Sequence, residues 1–267
     1  MTRFAALFRS ALVTQRRSAL IWAGALALLT LSVVSVWPSM SASGSLDQLT
    51  GSLSPEVASA LGLEDFGTPI GFLNGNLYAV FLPLLFGALG LVAATGLSAG
   101  DEDAGRLELL LALPVSRRSV YLSRFAAVAC VLLFCSVVTA LVVVGSAPAF
   151  DLDLPTTGVV AVTWSMLLLG LLHAALAFGL AGLGLRAPVV VGVTGAVLLG
   201  GYLLHAMAPL SETLQPAQNL SPWFWALGHN PLAHGFGALG VLSLVAATVI
   251  ALAVGLVFVA RRTIRNA

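Results

Sequence analysis

The chain has 267 residues, 59% of them hydrophobic and 9% charged, against about 25% charged in an ordinary soluble domain. With a mean hydropathy of +1.02, most of it must be dissolved in lipid. The formal net charge of +1 conceals that all twelve basic residues are arginine, and a chain without lysine has no P-loop, whose lysine must reach a nucleotide's phosphates.

Residues 1–17 read as an amphipathic elbow helix lying along the membrane surface. Phe4, Leu7, Phe8 and Leu12 share one face and Arg3, Arg9, Arg16 and Arg17 are polar. The first span follows at 18–37, too long for a signal-peptide core of about 7–15 residues. Next comes a Ser- and Gly-rich loop, 38–75, in which Ser54-Pro55-Glu56 starts a short helix ending near Gly62. The second span is expected at 77–99, kinked by Pro83, the third at 124–146 and the fourth at 159–183. A tight link carrying Arg186 leads to the fifth span, 188–207. Segment 208–238 holds two helix-start signals, Ser211 and Ser221-Pro222, and a belt-like aromatic cluster, Trp223, Phe224 and Trp225. This predicts membrane-skimming short helices before the sixth span, 239–260. Small residues recur at helical spacing on span six (Ala247, Ala251, Gly255) and span five (Ala196, Gly200), as where helices pack closely. The fold expected is all-α, a polytopic membrane protein of one domain over 1–267.

Arginine placement sets the orientation. With both termini in the cytoplasm, all twelve arginines fall inside: four before span one, four in the 100–124 stretch, one in the tight link and three at the end. Seven of the eleven acids fall outside, and the other four, Asp101, Glu102, Asp103 and Glu108, cluster in one inside loop. Acids count little for topology, so the cluster needs another cause.

The spans themselves offer little chemistry. No Asp, Glu or Arg stands mid-span, which disfavours an ion-coupled carrier. His173, near the middle of span four, is the one candidate for a substrate path, with a hydrogen-bonded neutral packing role as its alternative. Cys130 and Cys135 are spaced i, i+5 and point to different sides of a helix. His229 and His234 form no zinc motif with an intervening acid, so no catalytic or metal-binding residue is assigned.

What remains is the inside loop, 100–123. Asp101, Glu102 and Asp103 head a leucine-rich helical run that Pro114 stops, and Ser116 then caps the next helix, entered through Arg117 and Arg118. An anchor would need only basic residues. An acid-headed helix with a leucine face at Leu107, Leu110 and Leu111 has the shape of a helix that seats in a partner's groove.

These residues resemble the loop after the second span of ABC-2 type permeases, the membrane subunits of one class of ATP-binding-cassette exporter. The family pattern runs E-x-E-x-G-T-L-E-x-L-L-x-x-P-(V/L)-(S/G)-R. The same register here is Asp101, Glu102, Asp103, Ala104, Gly105, Arg106, Leu107, Glu108, then Leu110, Leu111, Pro114, Val115, Ser116 and Arg117. The departures are Asp for Glu at 101 and 103 and Arg106 for the usual Thr. The layout is similar throughout, most of all to permeases of drug, antibiotic or polyketide export. The resemblance implies a half-transporter in a bacterial plasma membrane. Its loop would couple to separate ATPase subunits, which would carry ATP and Mg, and it would pair with a second permease chain. No nucleic-acid partner is expected. The cargo path would lie near spans two and five, whose apolar lining fits an apolar or amphipathic substrate. A mechanical relay that helps mature an extracytoplasmic partner is the alternative, and an ion-coupled carrier a weaker one.

Overall fold

In lipid a backbone has no water to bond, so a spanning segment closes its hydrogen bonds within itself as a helix. The computed structural model of the chain describes residues 3–42 and 67–261. It has six helical stretches long and apolar enough to cross a membrane, and no strand among the described residues. The short helix expected at Ser54–Gly62 and the final arginines, Arg262 and Arg265, lie outside the described residues.

Span one is a single helix, Arg3–Ala42, of 40 residues. At 1.5 Å per residue it is about 60 Å long, twice the roughly 30 Å hydrocarbon core. This corrects the expectation of a separate elbow at 1–17. Residues 16–20 contain neither Gly nor Pro, so nothing breaks the helix there. Its first turns also pack inward rather than lying flat: Ala11 and Gln15 are buried, and Gln15 Nε2 donates to the Ala93 carbonyl of span two at 3.1 Å.

Span two, Pro69–Asp103, is composite: Pro69–Leu73, a π-helical turn Asn74–Tyr78, then Phe81–Gly96 and Ala99–Asp103. Its irregularity is not at Pro83, which sits in the first turn of Phe81–Gly96, where no backbone donor is needed. The break lies just before, at Val80, with φ −130° and ψ −57°. Span three, Arg117–Ser146, starts seven residues earlier than expected from apolarity alone, because Ser116 caps it: its side chain accepts from Ser119 N at 3.1 Å. Spans four, Thr156–Gly182, five, Ala187–Met207, and six, Ala238–Arg261, fall within three residues of expectation.

Span four is the hub, its apolar window 78% buried, packed between spans two, three and six. Close approach needs small residues on both sides. Gly90 of span two meets the backbone of Gly170, and Gly179 meets that of Ala251. A Cβ on Gly182 would lie 2.6 Å from the Gly255 Cα. The Ala251–Gly255 stripe of span six is therefore spent inside the bundle. The Ala196–Gly200 stripe of span five is not: both residues are exposed, and a Cβ on Gly200 would meet nothing within 4 Å. Span five buries only Val190, Thr194, Leu198 and Gly201.

After span five, 3-10 turns lead to Pro222–Leu227, capped by Ser221, whose hydroxyl accepts from Trp223 N and Phe224 N. Ser211 starts only a turn. The aromatic cluster is not a belt. Trp223 is fully buried, and its indole N–H donates to the Leu198 carbonyl of span five at 3.0 Å.

Candidate functional site

The loop between spans two and three folds as two short helices, Ala99–Asp103 and Arg106–Leu111. Sequence reading placed the three acids at the head of one leucine helix. In the structure they end the helical tail of span two, and Gly105, left-handed at φ 70°, separates them from the leucines. Glycine takes that conformation without the Cβ clash that other residues meet.

The acid cluster then has its cause. Asp101 Oδ2 pairs with Arg124 Nη2 of span three at 2.6 Å, and Asp101 Oδ1 with Arg106 Nε at 2.7 Å. The Arg124 side chain is only 8% exposed, and its Nη1 also donates to the Leu97 carbonyl at 2.8 Å. Asp103 Oδ2 accepts from the Ala187 amide at 2.8 Å, at the first residue of span five. That amide is one of the four unpaired donors at a helix start, where a carboxylate also meets the positive dipole end. Glu102 is buried. The loop is thus continuous with span two, ion-paired to span three and bonded to span five.

Two further links gather the basic ends of the chain beside it. Arg3 donates to the Pro114 carbonyl at 2.6 Å. Val259, near the end of span six, lines a cavity of about 40 Å³ together with Leu107 and Leu111. Tyr121, Phe178 and Gly182 form the cavity's other wall, the two rings meeting edge to face at 5.3 Å. Arg117 also lines it.

So Leu107 and Leu111 face the protein's own spans, and Leu110 is half-buried. The apolar face left to solvent is a different one: Leu109 is 76% and Leu113 56% exposed, spaced i, i+4. Sequence reasoning missed these two and treated Arg124 only as the base of span three. The Leu109–Leu113 spacing was visible, but not which leucine face the bundle would claim. Pro114 ends the run, its carbonyl taken by Arg3.

His173 lies apart from this loop. It is fully buried in span four, with Nδ1 2.8 Å from the Leu169 carbonyl one turn back. A carbonyl only accepts, so Nδ1 carries the proton. Nε2 has no partner. The ring's bond is thus to its own helix, not across to a neighbouring one.

A family model described as the C-terminal domain of the multidrug efflux system permease Rv1217c matches residues 6–259. The chain belongs to that family. No curated protein matches it. As a member of an efflux-permease family, this six-span permease is a transport component of the membrane.

Proposed function

We propose that this permease is the membrane subunit of an ATP-driven exporter of the ABC-2 type, coupled through the 100–117 loop to separate ATPase chains that bind ATP and Mg. One observation carries the reading: a solvent-facing apolar pair, Leu109 on the short helix Arg106–Leu111 and Leu113 just past its end. The pair follows directly on the acidic helix Ala99–Asp103, which is continuous with span two and tied to spans three and five by Asp101 and Asp103. Exposed leucines at the end of a membrane bundle are costly in water and gain by entering a partner's groove. Asp101, Glu102, Asp103, Gly105 and Arg106 hold the lever, Glu108 and Arg117 flank it, and Leu107, Leu110, Leu111 and Pro114 seat it. Closure of the ATPases would push one rigid element and move three spans, provided that nucleotide binding favours one arrangement over the other.

In the same reading a second permease chain covers the outward face of span five, and the cargo path for an apolar or amphipathic molecule runs beside spans two and five. The same reading takes the loop and both termini as cytoplasmic, as the distribution of arginine along the sequence favours, in a bacterial inner membrane.

The test is reconstitution with an ABC ATPase that co-purifies with the chain. Leu109→Asp with Leu113→Asp should leave membrane insertion intact and abolish substrate-stimulated ATP turnover and efflux. Wild-type coupling in that double variant would refute the assignment.

A further inference from the structure

At the end of the bundle opposite the arginines, span two departs from α-helix at Asn74–Tyr78. The Ala79 amide reaches back five residues to the Asn74 carbonyl at 2.7 Å. Such π-turns displace side chains from the α register and recur at functional sites. Facing this turn, Asn230 holds a left-handed backbone, φ 48°, at the start of Pro231–His234, a conformation asparagine tolerates better than most residues. The two asparagines meet: Asn74 Nδ2 donates to Asn230 Oδ1 at 2.8 Å.

Beside that bond lies a cavity of about 150 Å³, walled by Asn74, Tyr78, Ala79, His205, Asn230 and Pro231. Its polar lining is not satisfied from within. His205 Nδ1 is buried and has no partner. The Tyr78 hydroxyl is fully buried and turned toward Thr163 of span four, which does not line the cavity. Thr163 itself donates to its own Val159 carbonyl at 2.7 Å. Buried polar atoms without partners are rare in folded proteins, and each asks what completes it. Among the described residues no Asp, Glu, Lys or Arg lines the cavity, so none of them would compensate the charge of an ion there. Leu227 lines the same cavity, an apolar wall beside the polar floor.

We propose that this pocket is a ligand subsite for the polar end of an amphipathic cargo, one bearing neutral hydroxyl, carbonyl or amide groups. Asn74 and Asn230 offer donor and acceptor, His205 Nδ1 completes the set, and the apolar body lies toward Leu227. The inference rests on the exporter reading for its choice of occupant, but binding is measured without ATP or any ATPase, so the two fail separately.

The probe is 4-methylumbelliferyl glucoside, a neutral fluorescent ring carrying a polyol, titrated by anisotropy against the full chain in phosphatidylethanolamine–phosphatidylglycerol nanodiscs. Asn230→Gly keeps the left-handed backbone and removes the side chain, and should weaken the probe about tenfold, the scale of one lost hydrogen bond. Ala79→Met fills the cavity and should abolish binding, while Val249→Met on the exposed side of span six leaves it unchanged. The anionic 4-methylumbelliferyl sulfate should bind at least about tenfold more weakly than the glucoside, for want of a cation in the wall. Absence of probe binding to the wild-type chain, or wild-type affinity in both Asn230→Gly and Ala79→Met, overturns the proposal. So does native mass spectrometry showing a phospholipid held by the wild type and lost from Ala79→Met, which would make the pocket a lipid site. ATP-driven efflux without pocket binding sinks this inference alone; pocket binding without ATP-driven efflux sinks the exporter reading.

Discussion

Removing the Asp101 carboxylate isolates what fastens the loop to the bundle. In Asp101→Ala the Arg124 guanidinium, 8% exposed in the native fold, keeps only the Leu97 carbonyl. Breaking one half of a buried pair costs about 3–5 kcal/mol, since the other charge stays buried and uncompensated. Arg106 meets the same carboxylate but is 62% exposed, so Arg106→Ala should cost no more than about 1 kcal/mol. For a chain of this size, about 2–4 °C of melting temperature accompanies each kcal/mol. The expected fall is therefore of the order of 10 °C for Asp101→Ala and at most about 4 °C for Arg106→Ala. Tryptophan-fluorescence melts of the detergent-purified variants read the difference directly. Asp101→Leu combined with Arg124→Met should recover most of the loss, because swapping a buried pair for apolar volume is often neutral. If Asp101→Ala melts within about 2 °C of Arg106→Ala, the ion pair does not hold the loop and the joint must be reassigned.

Three further outcomes follow from the packing. Gly182→Leu should splay spans four and six and lower the yield of folded protein on size-exclusion chromatography, by at least the roughly 1–3 kcal/mol of an overpacked core. Gly200→Leu, whose new side chain meets open space, should leave the melting temperature of the single chain unchanged. Cross-linking in membranes would then show whether it blocks pairing between copies. Gly105→Ala should cost about 1–2 kcal/mol through its left-handed backbone, read as a lowered melt with insertion intact.

Much of the fold was legible in the sequence because lipid imposes a single solution on a long apolar run. Five of the six spans and the Ser116 and Ser221 caps follow from apolarity and hydroxyl placement. Where reading failed, the deciding partner was distant in sequence or the breaker was absent. Nothing between Arg16 and Leu20 tells a surface helix to stop, so the elbow ran on into span one. Pro83 reads as a kink, but one turn into a helix it breaks nothing, whereas the Asn-Gly-Asn run at 74–76 widened a turn that apolarity counting placed in a loop. The acids of the inside loop announced that something must neutralise them. Arg124 and the Ala187 amide lie 23 and 84 positions from their partners, and only the packed bundle brings them there. The leucine face was read correctly as amphipathic and assigned to the wrong side, since hydrophobicity alone does not distinguish a seat from a handle.

Span one touches the protein at both extremities. At its foot Arg3 grips the Pro114 carbonyl; near its head the Trp37 ring leans on Phe72, centroids 5.2 Å apart, just ahead of the π-turn. Between these grips the helix runs unbroken from Arg3 to Ala42 and buries Ala19, Ala23, Leu26, Thr30 and Val34, packing along span three. A push on the loop felt through Arg3 would therefore move spans one and three as one packed pair, with Trp37 carrying it to Phe72 ahead of the π-turn.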